Sequence, residues 1–485
     1  MKKLLVLILA LVMTLTVFAC TNEKGKDPEK TDPIPPEATG DKELPVVDFE
    51  GASYRVSMKD GRLFNLEFFQ PEDSDNPVES AAWRRNQTVE DTYDVTIMPV
   101  YAEATEDGMW AQTNQIIEAY MLEEDEFDVT ATYVVTSGGL VLNTCLYDWN
   151  SLKYTNLDAN YWTQSINDNF AIDGHIFTAV GDTCVSALRY TYAMMYNRTI
   201  GDQKNLTEEI YDKIDNGKWT IDYFKTITSS VYDDIDDVPG RSGGDFYGFQ
   251  AENATNLDIW AFAFDLDMIA QTNDDRLLEC VFNNERTSTG LDKIIELYWN
   301  SNGTCIPSDV YAAPHNFIHG RSLFCTMTLD YCFGGLDSME DHYSILPYPM
   351  LDEDQDTYNT GMMDNYSVLG VPVTCPDPDM SSLITEALNK EAKKTVTTVI
   401  YEESLCKRFN NDAAEGVDML NMIMEGRKAD MAVLVQQSVS RLSMMFRDIV
   451  NSKSNSLVQY FDAIGENMNI QLQQVVDKYK ASAEN

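Results

Sequence analysis

His315 and His319 have the i, i+4 spacing at which one face of a helix can present two nitrogen ligands to a zinc ion. The glutamate that follows the first histidine in a His-Glu-x-x-His motif is missing, and Pro314 precedes the pair. The chain contains 4 histidines in all, so few others could complete a metal site. We therefore expect the pair to have a surface or packing role, and we predict no metal.

An acidic segment, Asp233-Asp234-Ile235-Asp236-Asp237, offers a second candidate, because calcium is bound by loops of alternating oxygen ligands. Counted from Asp234, the fifth position is Val238, and counted from Asp233, the third is Ile235. The pattern predicts a solvated acidic loop rather than a calcium site. The neighbouring Gly240-Arg241-Ser242-Gly243-Gly244 lacks the Gly-Lys-Ser/Thr ending of a phosphate loop, and we predict no cofactor.

Charge and composition exclude some partners. The chain has 35 Lys and Arg against 79 Asp and Glu, a formal net charge of −44, so it lacks the basic surface that nucleic acid requires. A length of 485 residues with 44% apolar residues predicts large cores in two or more lobes. Eight cysteines follow Cys20 without any Cys-x-x-Cys, which favours mostly free, buried thiols over a disulfide framework.

The N-terminus has the pattern of an export signal. Lys2-Lys3, an apolar run from Leu4 to Phe18, and Ala19 before Cys20 are typical of a secretory signal peptide over residues 1–19. Val17-Phe18-Ala19-Cys20 resembles the lipobox of bacterial lipoproteins, which predicts lipidation of Cys20. Residues 20–45 then form a polar, proline-containing spacer. We expect an extracytoplasmic protein, lipid-anchored to the bacterial cell membrane through Cys20.

Strands and helices alternate through the first part of the remaining chain. We predict strands at Tyr54–Met58, Leu63–Phe69, Val95–Val100 and Phe127–Thr132, a helix capped by Asn76 with Glu79 as a capping box, and a helix at Met109–Leu122. Such alternation predicts a largely parallel sheet covered on both faces. Further helices are predicted at 205–215, 221–232, 257–268 and 289–300, and strands at 322–329, 343–346 and 366–373. From Met380 onward the chain is predicted to be nearly all helical.

Several segments in order resemble the carbohydrate-type group of extracellular solute-binding proteins that serve ABC importers, the family 1 or maltose-binding-protein-like group. The segments are Arg84-Arg85-Asn86 with Glu90, Tyr93 and Val95; Asp125-Glu126-Phe127-Asp128-Val129; Tyr196-Asn197-Arg198; Gly217-Lys218-Trp219-Thr220; Tyr247-Gly248-Phe249; Phe317 with Gly320-Arg321-Ser322-Leu323-Phe324; and Ile345-Leu346-Pro347-Tyr348-Pro349.

The resemblance implies an α/β, two-lobe periplasmic-binding-protein-like (type II) fold with a hinge and a helical C-terminal region. We assign residues 46–175 to the first part of lobe 1, residues 176–320 to the first part of lobe 2, and residues 321–375 to the return to lobe 1 and the hinge. Residues 376–485 are assigned to a helical part, mainly of lobe 2. The protein would act as a monomer that binds a sugar and docks on ABC permease subunits, with no catalysis of its own.

A sugar needs flat aromatic faces against its C–H side and carboxylates and amides for its hydroxyls. Open α/β sheets bind ligands at the carboxyl ends of their strands. The predicted strand ends and the loops after them therefore give the candidate ligand-binding residues Phe69, Asp182, Trp260, Asp330, Tyr331, Asp364, Asn365 and Tyr366. Each aromatic residue could instead belong to the core.

The sequence leaves two other functions open. A secreted glycoside hydrolase needs two carboxylates across the scissile bond, and 79 acidic residues offer many pairs without singling one out. A surface adhesin lipoprotein is the other alternative, although α/β alternation is less usual in that class. Ligand-induced stabilisation without turnover of the sugar would separate a binding protein from a hydrolase.

Overall fold

The computed structural model describes residues 43–102, 108–236, 238, 242–272, 277–309, 311–406 and 413–484. The predicted signal peptide, Cys20, most of the predicted spacer and part of the acidic loop lie outside these residues.

The first sheet has four strands in the order β11-β3-β1-β2. They are β1 (Ala52–Met58), β2 (Val95–Tyr101), β3 (Val129–Tyr133) and β11 (Ser367–Gly370). Strand β1 runs parallel to β2 and β3, whereas β11 runs antiparallel to β3 and pairs Ser367 with Tyr133. The carboxyl ends of β1, β2 and β3 and the beginning of β11 therefore share one edge.

The second sheet has five strands in the order β10-β4-β9-β5-β8. They are β4 (Tyr192–Asn197), β5 (Tyr247–Gln250), β8 (Thr304–Cys305), β9 (Ser322–Thr328) and β10 (Tyr343–Leu346). Strand β5 is parallel to β8 and β9, and β4 is antiparallel to β9, pairing Tyr192 with Thr328. The beginning of β4 thus meets the carboxyl ends of β5 and β9. A separate two-stranded ladder joins β6 (Ile269–Gln271) to β7 (Leu278–Cys280).

Helices cover the two sheets, and most were predicted in place. They are α1 (Arg62–Phe68), α2 (Pro77–Tyr93), α3 (Ala111–Leu122), α4 (Val134–Leu142), α5 (Gln164–Asn167), α6 (Val185–Arg189), α7 (Arg198–Gln203), α8 (Thr207–Asp215), α9 (Ile221–Ser230), α10 (Thr255–Ala263), α11 (Glu285–Ile295), α12 (Ala312–Ile318), α13 (Pro378–Ala392), α14 (Ala413–Glu425), α15 (Met431–Leu434), α16 (Met445–Asn451) and α17 (Leu457–Ala483). Within the described chain, we find no helix with the length and apolarity that crossing a membrane would require.

The strand predicted at Leu63–Phe69 is wrong, because this segment forms α1. Phe64, Leu66 and Phe68 alternate as in a strand, but Phe64 and Phe68 are also four residues apart and share a helical face. Gly61, with a φ of 146°, supplies the turn after β1 that only glycine adopts readily. The buried side of α1 includes the Glu67 carboxylate, which a strand prediction from apolar alternation cannot place.

The beginning of α2 is confirmed, with a different role for Glu79. Asn76 Oδ1 accepts the backbone N–H groups of Val78 at 3.0 Å and Glu79 at 3.3 Å, and Pro77 occupies the first helical turn. The Glu79 carboxylate does not close a capping box. It accepts hydrogen bonds from Ser74 Oγ at 2.7 Å and Arg62 Nε at 2.8 Å, and so fixes the loop between α1 and α2.

The chain passes from the first sheet to the second near residue 191 and returns near residue 362. These crossing segments run antiparallel, with Tyr192 N–H donating to the Gly361 carbonyl at 3.0 Å and Met363 N–H to the Tyr190 carbonyl at 2.9 Å. Both crossings differ from the predicted boundaries at 176 and 321. Ala179 still pairs with Leu369 of the first sheet, and β9 and β10 still belong to the second.

The C-terminal region, predicted to belong mainly to lobe 2, is shared between the lobes. On the first lobe, α13 packs on α2, Thr385 of α13 hydrogen-bonds Tyr54 of β1 at 2.7 Å, and α15 and α17 pack on α4. On the second lobe, α14 packs against β10, and α16 packs against α10 and α11. The helical prediction is confirmed, but its assignment to one lobe does not describe these contacts.

A small apolar cluster joins the lobes. Leu66 of α1 and Val78 and Ala82 of α2 belong to it together with Met195 of β4 and Met327 of β9. Since these residues come from helices that cover the first sheet and from strands of the second sheet, the lobes share buried apolar surface. Buried apolar contacts of this kind restrict relative movement of the lobes.

Gly248 of β5 marks a close approach between strand and helix. A Cβ atom there would overlap backbone atoms of Thr228 in α9. We expect Gly248→Ala to lower the free energy of unfolding by about 1–3 kcal/mol, the usual cost of overpacking. Urea unfolding measures this, with Gly243→Ala as control because an added Cβ at that position meets no atom within 4 Å. Equal unfolding midpoints for the two variants would contradict the prediction.

Candidate functional site

Each sheet has an edge at which its parallel strands end, and these two edges meet at the crossing segments. Tyr190, on the first crossing, interacts electrostatically with Tyr133 at the end of β3 and with Asp330 just after β9. Tyr192, two residues later, interacts with Glu252 after β5 and with Asp364 before β11. We call this region the interlobe cleft, defined by Lys59, Phe64, Tyr133, Tyr190, Tyr192, Glu252, Asp258, Asp330, Tyr331, Asp364 and Arg447.

The first-lobe side of the cleft presents a cation among aromatic rings. Lys59 directly follows β1, and its Nζ lies 4.6 Å from the Phe64 ring centroid and 4.2 Å from that of Tyr133. It also donates a hydrogen bond to Ser367 Oγ at 2.9 Å. Burial lowers the pKa of Lys59 to about 8, with the nearby Glu67 carboxylate acting in the opposite direction. The Phe64 and Tyr133 rings stand edge to face, with centroids 5.6 Å apart.

The crossing segment adds an ion pair that links the two sides. Arg189 Nη2 lies 2.6 Å from Asp330 Oδ1, and the Arg189 guanidinium lies 4.1 Å from the Phe333 ring centroid. Burial lowers the pKa of Arg189, and Asp330 opposes this effect. Arg189 ends α6 immediately before the crossing, whereas Asp330 and Phe333 follow β9. The ion pair therefore connects the first crossing segment to the edge of the second sheet at which β9 ends.

The second-lobe side is acidic and lined by tyrosines. Asp258 of α10 is paired with Arg447 of α16 at 3.1 Å, and both side chains are largely buried. Burial raises the pKa of Asp258 and of Asp364, while Arg447 acts against the rise in both. Burial also raises the pKa of Glu252 to about 7. Among the described residues, no hydrogen bond or ion pair reaches the Glu252 carboxylate.

Buried amide and carboxylate oxygens at these edges also lack partners within the described protein. Asn256 donates its Nδ2 to Thr326 Oγ1 at 2.9 Å, but its Oδ1 has no hydrogen-bond partner. The same holds for Asp258 Oδ1 and Asn365 Oδ1. A buried polar atom without a partner costs about 1–3 kcal/mol, so a hydrogen-bonding ligand could offset this cost.

Five of the predicted site residues lie at or beside the cleft. Asp330, Tyr331, Asp364 and Asn365 are half-buried at the strand edges. Tyr366 follows directly and is buried, with a hydroxyl that has no hydrogen-bond partner among the described residues. Burial, and secondarily Glu252, raises the pKa of Tyr331 to about 12. These five residues lie at or after strand edges, and their part in ligand binding stays a prediction.

Trp260 does not belong to the cleft. Its side chain is completely buried in α10, and its indole N–H donates to the Tyr298 hydroxyl at 3.0 Å. The Tyr348 ring lies edge to face with it, at 5.0 Å between centroids. The sequence prediction failed because α10 is buried on nearly every side, which leaves no amphipathic pattern to mark an exposed face.

Phe69 and Asp182 also lie outside the set that meets at the cleft. Phe69 follows the last residue of α1 and packs partly against the main core. The Asp182 carboxylate lies 3.5 Å from Lys393 Nζ, accepts from Thr397 Oγ1 at 3.2 Å and lines a cavity of about 70 Å³ with Arg427. Burial raises the pKa of Asp182, and Lys393 opposes the rise. Asp182 therefore links the segment before the crossing to the C-terminal region.

Sequence reasoning missed Lys59, Phe64, Tyr133, Tyr190 and Glu252. Lys59 and Glu252 each follow a strand directly or within two residues, so the strand-end rule could have found them. Phe64 was assigned to a strand, which hid its position at the start of a helix over the edge. Tyr190 could not be found in this way, because only the crossing of the two segments brings it to the cleft.

The histidine pair and the acidic loop are the two candidate metal-binding groups of the sequence. The His315 and His319 rings are exposed and stacked at 4.1 Å, and His319 Nδ1 lies 2.8 Å from the His315 carbonyl oxygen, to which it donates. In the acidic loop, one carboxylate oxygen each of Asp234, Asp236 and Asp245 lies within 4.8 Å of the others. Asp245 Oδ2 accepts hydrogen bonds from the Tyr232 hydroxyl at 3.0 Å and Ser242 N–H at 2.8 Å.

Comparison with known proteins identifies the fold. No family model and no curated protein sequence matches the chain. A solute-binding protein of an ABC transporter from Thermotoga lettingae, bound to alpha-D-tagatose, aligns with a TM-score of 0.55 and 11% identity over 87% of this chain and 100% of that one. UgpB from Mycobacterium tuberculosis, in complex with glycerophosphocholine, aligns with a TM-score of 0.54 and 13% identity over 87% and 98%.

A third structure, the maltose/maltodextrin-binding domain MalE from Bdellovibrio bacteriovorus with maltotriose, gives a TM-score of 0.50 and 10% identity over 89% of this chain and 99% of that one. These likenesses cover nearly the whole of each known structure. The chain therefore has the two-lobe α/β fold of ABC-transporter solute-binding proteins, as expected from the sequence.

Trp260 and Tyr331 should respond differently to truncation. We expect Trp260→Ala to lower the free energy of unfolding by about 3–5 kcal/mol, because it empties a fully buried site. Tyr331→Ala, at a half-buried position, should cost far less stability but weaken ligand-induced stabilisation. Thermal unfolding with and without a binding sugar measures both effects. A full ligand response in Tyr331→Ala would remove Tyr331 from the site.

Proposed function

We propose that this protein is the solute-binding component of an ABC importer and delivers a mono- or oligosaccharide to permease subunits. The observation that supports this proposal most directly is the interlobe cleft. There, aromatic rings and carboxylates from the edges of both sheets lie together in a two-lobe fold. Lobes joined by crossing segments can close on a ligand, and a transporter can sense that closure. The neighbours in structure carry ligands such as tagatose and maltotriose in the same fold.

The side chains of the cleft suit a polyhydroxylated ligand. Phe64, Tyr133 and Tyr331 offer aromatic faces for the C–H side of a sugar ring. Asp364, Asn365 and Glu252 offer carboxylate and amide groups that accept hydrogen bonds from hydroxyls. Bound in the cleft, such a ligand would contact both lobes and so stabilise a closed form over an open one.

No reaction is assigned to the site, and we propose that the protein is not an enzyme. A glycoside hydrolase is the second candidate, favoured by one observation. Burial raises the pKa of Glu252 to about 7, as a general acid needs, while Asp364 lies in the same group of interacting residues. In a binding protein, the same carboxyl group serves as a hydrogen-bonding or charge partner for the ligand.

The proposed setting is extracytoplasmic. Residues 1–19 would direct export, Cys20 would carry the lipid, and residues 20–45 would space the two lobes from the membrane. A lipid anchor would keep a monomeric receptor close to its permease and so raise the effective concentration of the loaded form. The net charge of −44 gives the exterior self-repulsion that favours solubility.

Binding without turnover is the first expectation. A saccharide ligand at 100 times its dissociation constant should stabilise the protein by about 2.7 kcal/mol. We would screen neutral, N-acetylated and amino sugars, from mono- to tetrasaccharides, by thermal shift on residues 43–485, and then analyse each stabilising sugar by chromatography. Unchanged sugar after prolonged incubation supports binding, whereas released product identifies a hydrolase. A screen without any stabilising sugar would contradict the proposed function.

Lipidation at Cys20 is the second expectation. Expression of the full chain in a bacterium with labelled palmitate should give a labelled, membrane-associated product. Cys20→Ser should abolish the label and release the protein from the membrane fraction, while Cys145→Ser, at a buried interior position, serves as control. A labelled Cys20→Ser variant would contradict the assignment.

A further inference from the structure

A small polar cavity lies among the segments that connect the lobes. It has a volume of about 70 Å³, and its lining includes Asp182, Leu188, Lys393, Thr397 and Arg427. Leu188 belongs to α6, which leads into the first crossing, whereas Lys393 and Thr397 follow α13 and Arg427 follows α14. None of these five residues belongs to the interlobe cleft, so the cavity is distinct from the proposed sugar site.

The polar residues of the cavity come from both lobes. Lys393 directly follows α13, which packs on α2 of the first lobe, and Arg427 follows α14, which packs against β10 of the second. The backbone around Arg427 pairs with the segment before the second crossing, since Thr360 N–H donates to the Gly426 carbonyl at 2.9 Å and Lys428 N–H to the Thr360 carbonyl at 2.8 Å. A ligand that contacts Lys393 and Arg427 would therefore bridge the two lobes.

The charges of the described lining residues do not balance. Lys393 and Arg427 are cationic, Asp182 is the one carboxylate among them, and burial keeps the Cys184 thiol neutral by raising its pKa. Lys393 Nζ lies 3.5 Å from Asp182 Oδ2, so this pair is neutral and the charge of Arg427 remains. Burial lowers the pKa of Arg427, and Asp182 acts against this effect. A monovalent anion would balance the excess positive charge.

Hydrogen-bonding positions of both kinds are open in the cavity. Arg427 Nε donates to the Met424 carbonyl at 3.3 Å, but Nη1 and Nη2 of the same guanidinium have no hydrogen-bond or ion-pair partner among the described residues. Asp182 Oδ1 accepts from Thr397 Oγ1 at 3.2 Å, whereas Asp182 Oδ2 has no hydrogen-bond partner there. A ligand that satisfies both residues must accept hydrogen bonds from Arg427 and donate one to Asp182.

The size of the cavity limits the ligand further. One water molecule needs about 10–15 Å³ of cavity, so the volume suffices for about five atoms of that size. A sugar ring is too large for this space, and a halide has no hydroxyl group to donate to Asp182. The planar guanidinium of Arg427 matches two oxygens of a planar oxyanion through parallel hydrogen bonds. Size, charge and hydrogen bonding together favour a small oxyanion that keeps one hydroxyl group.

We propose that this cavity is a second ligand site, which binds a small monovalent oxyanion with a hydroxyl group, such as bicarbonate. The oxygens of the ion accept hydrogen bonds from Arg427, and its hydroxyl donates to Asp182 Oδ2. Because Lys393 and Arg427 follow helices that pack on different lobes, the bound ion favours one arrangement of the lobes, and its affinity depends on that arrangement. The site goes beyond the proposed function, since it takes a different ligand from the cleft.

Matched anions test the proposal without any sugar. We would follow thermal unfolding at pH 8 while bicarbonate replaces a bulky sulfonate at constant ionic strength, and expect a saturable rise in the unfolding temperature. Nitrate has the same charge and planar shape but no hydroxyl group, so it should bind at least about tenfold more weakly, because the hydrogen bond to Asp182 is lost. The absence of a bicarbonate effect, which would mean that the cavity holds only water, or equal binding of nitrate would overturn the proposal.

Substitutions of Arg427 test the donor side. Arg427→Gln should abolish the bicarbonate effect, and Arg427→Lys, which keeps the charge but loses the planar fork, should weaken binding by about tenfold. Arg84→Gln, at an exposed position of α2, is the control and should respond as the wild type does. Thermal unfolding without bicarbonate verifies that each variant is folded. A full response in Arg427→Gln would contradict the assignment of Arg427.

Asp182→Asn tests the acceptor side. The amide has the size of the carboxylate but can present an N–H group to the ion, which suits nitrate as well as bicarbonate. We therefore expect the variant to bind both anions and to lose the tenfold preference for bicarbonate. A preference that survives in Asp182→Asn would show that the hydroxyl of the ion does not donate to Asp182 and would overturn that part of the assignment.

Discussion

The buried carboxylate of Glu67 fixes the geometry around which the two lobes are arranged. It lies in α1 and accepts hydrogen bonds from Ser186 N–H at 2.9 Å, Ser186 Oγ at 2.6 Å and Ser367 Oγ at 2.5 Å. These serines belong to α6, which leads into the first crossing, and to β11, which follows the second. Burial raises the pKa of Glu67, with Lys59 acting against the rise. Removing a serine hydroxyl from such a network leaves a buried acceptor without a donor, which typically costs about 1–3 kcal/mol.

The same network positions the first-lobe side of the cleft. Ser367 Oγ, which donates to Glu67, also accepts the Lys59 ammonium, so the cation between Phe64 and Tyr133 is held through β11. On the outer side of α1, buried Arg85 donates to the Leu66 carbonyl at 3.1 Å, which fixes the helix against α2. Since Leu66 also belongs to the apolar cluster shared with β4 and β9, α1 takes part in both the binding edge and the contact between lobes. A movement of the second lobe would therefore displace the Phe64 ring through α1.

Much of the fold could be predicted from the sequence because its signals are local. Asn76, Pro77 and the apolar face that follows determine where α2 begins, and alternating strands and helices indicate the parallel sheet. The failures concern residues whose partners are distant in sequence. The role of α1 depends on Ser186 and Ser367, which lie more than a hundred residues from Glu67. Trp260 has the residue type of a sugar-stacking side chain, but contacts with Tyr298 and Tyr348 place it in the core. Asp182 follows a strand-like segment, yet Lys393 and Thr397 of the C-terminal region determine its environment.

Stability and recognition are assigned to different polar groups in this molecule. Charged and amide groups such as Glu67, Arg85 and Asn389 are buried with several protein partners, as when Asn389 Oδ1 accepts from Thr183 N–H at 2.9 Å. In the cleft the relation is reversed, because Glu252, Asp258 Oδ1 and Asn256 Oδ1 are partly or wholly buried but not satisfied by the described protein. A protein loses free energy at such positions in the absence of ligand, and natural sequences tolerate that loss mainly at functional sites. Because Arg447 Nε and Arg189 Nε are also buried without hydrogen-bond partners among the described residues, the cleft offers a ligand both donors and acceptors, as a polyhydroxylated ligand requires.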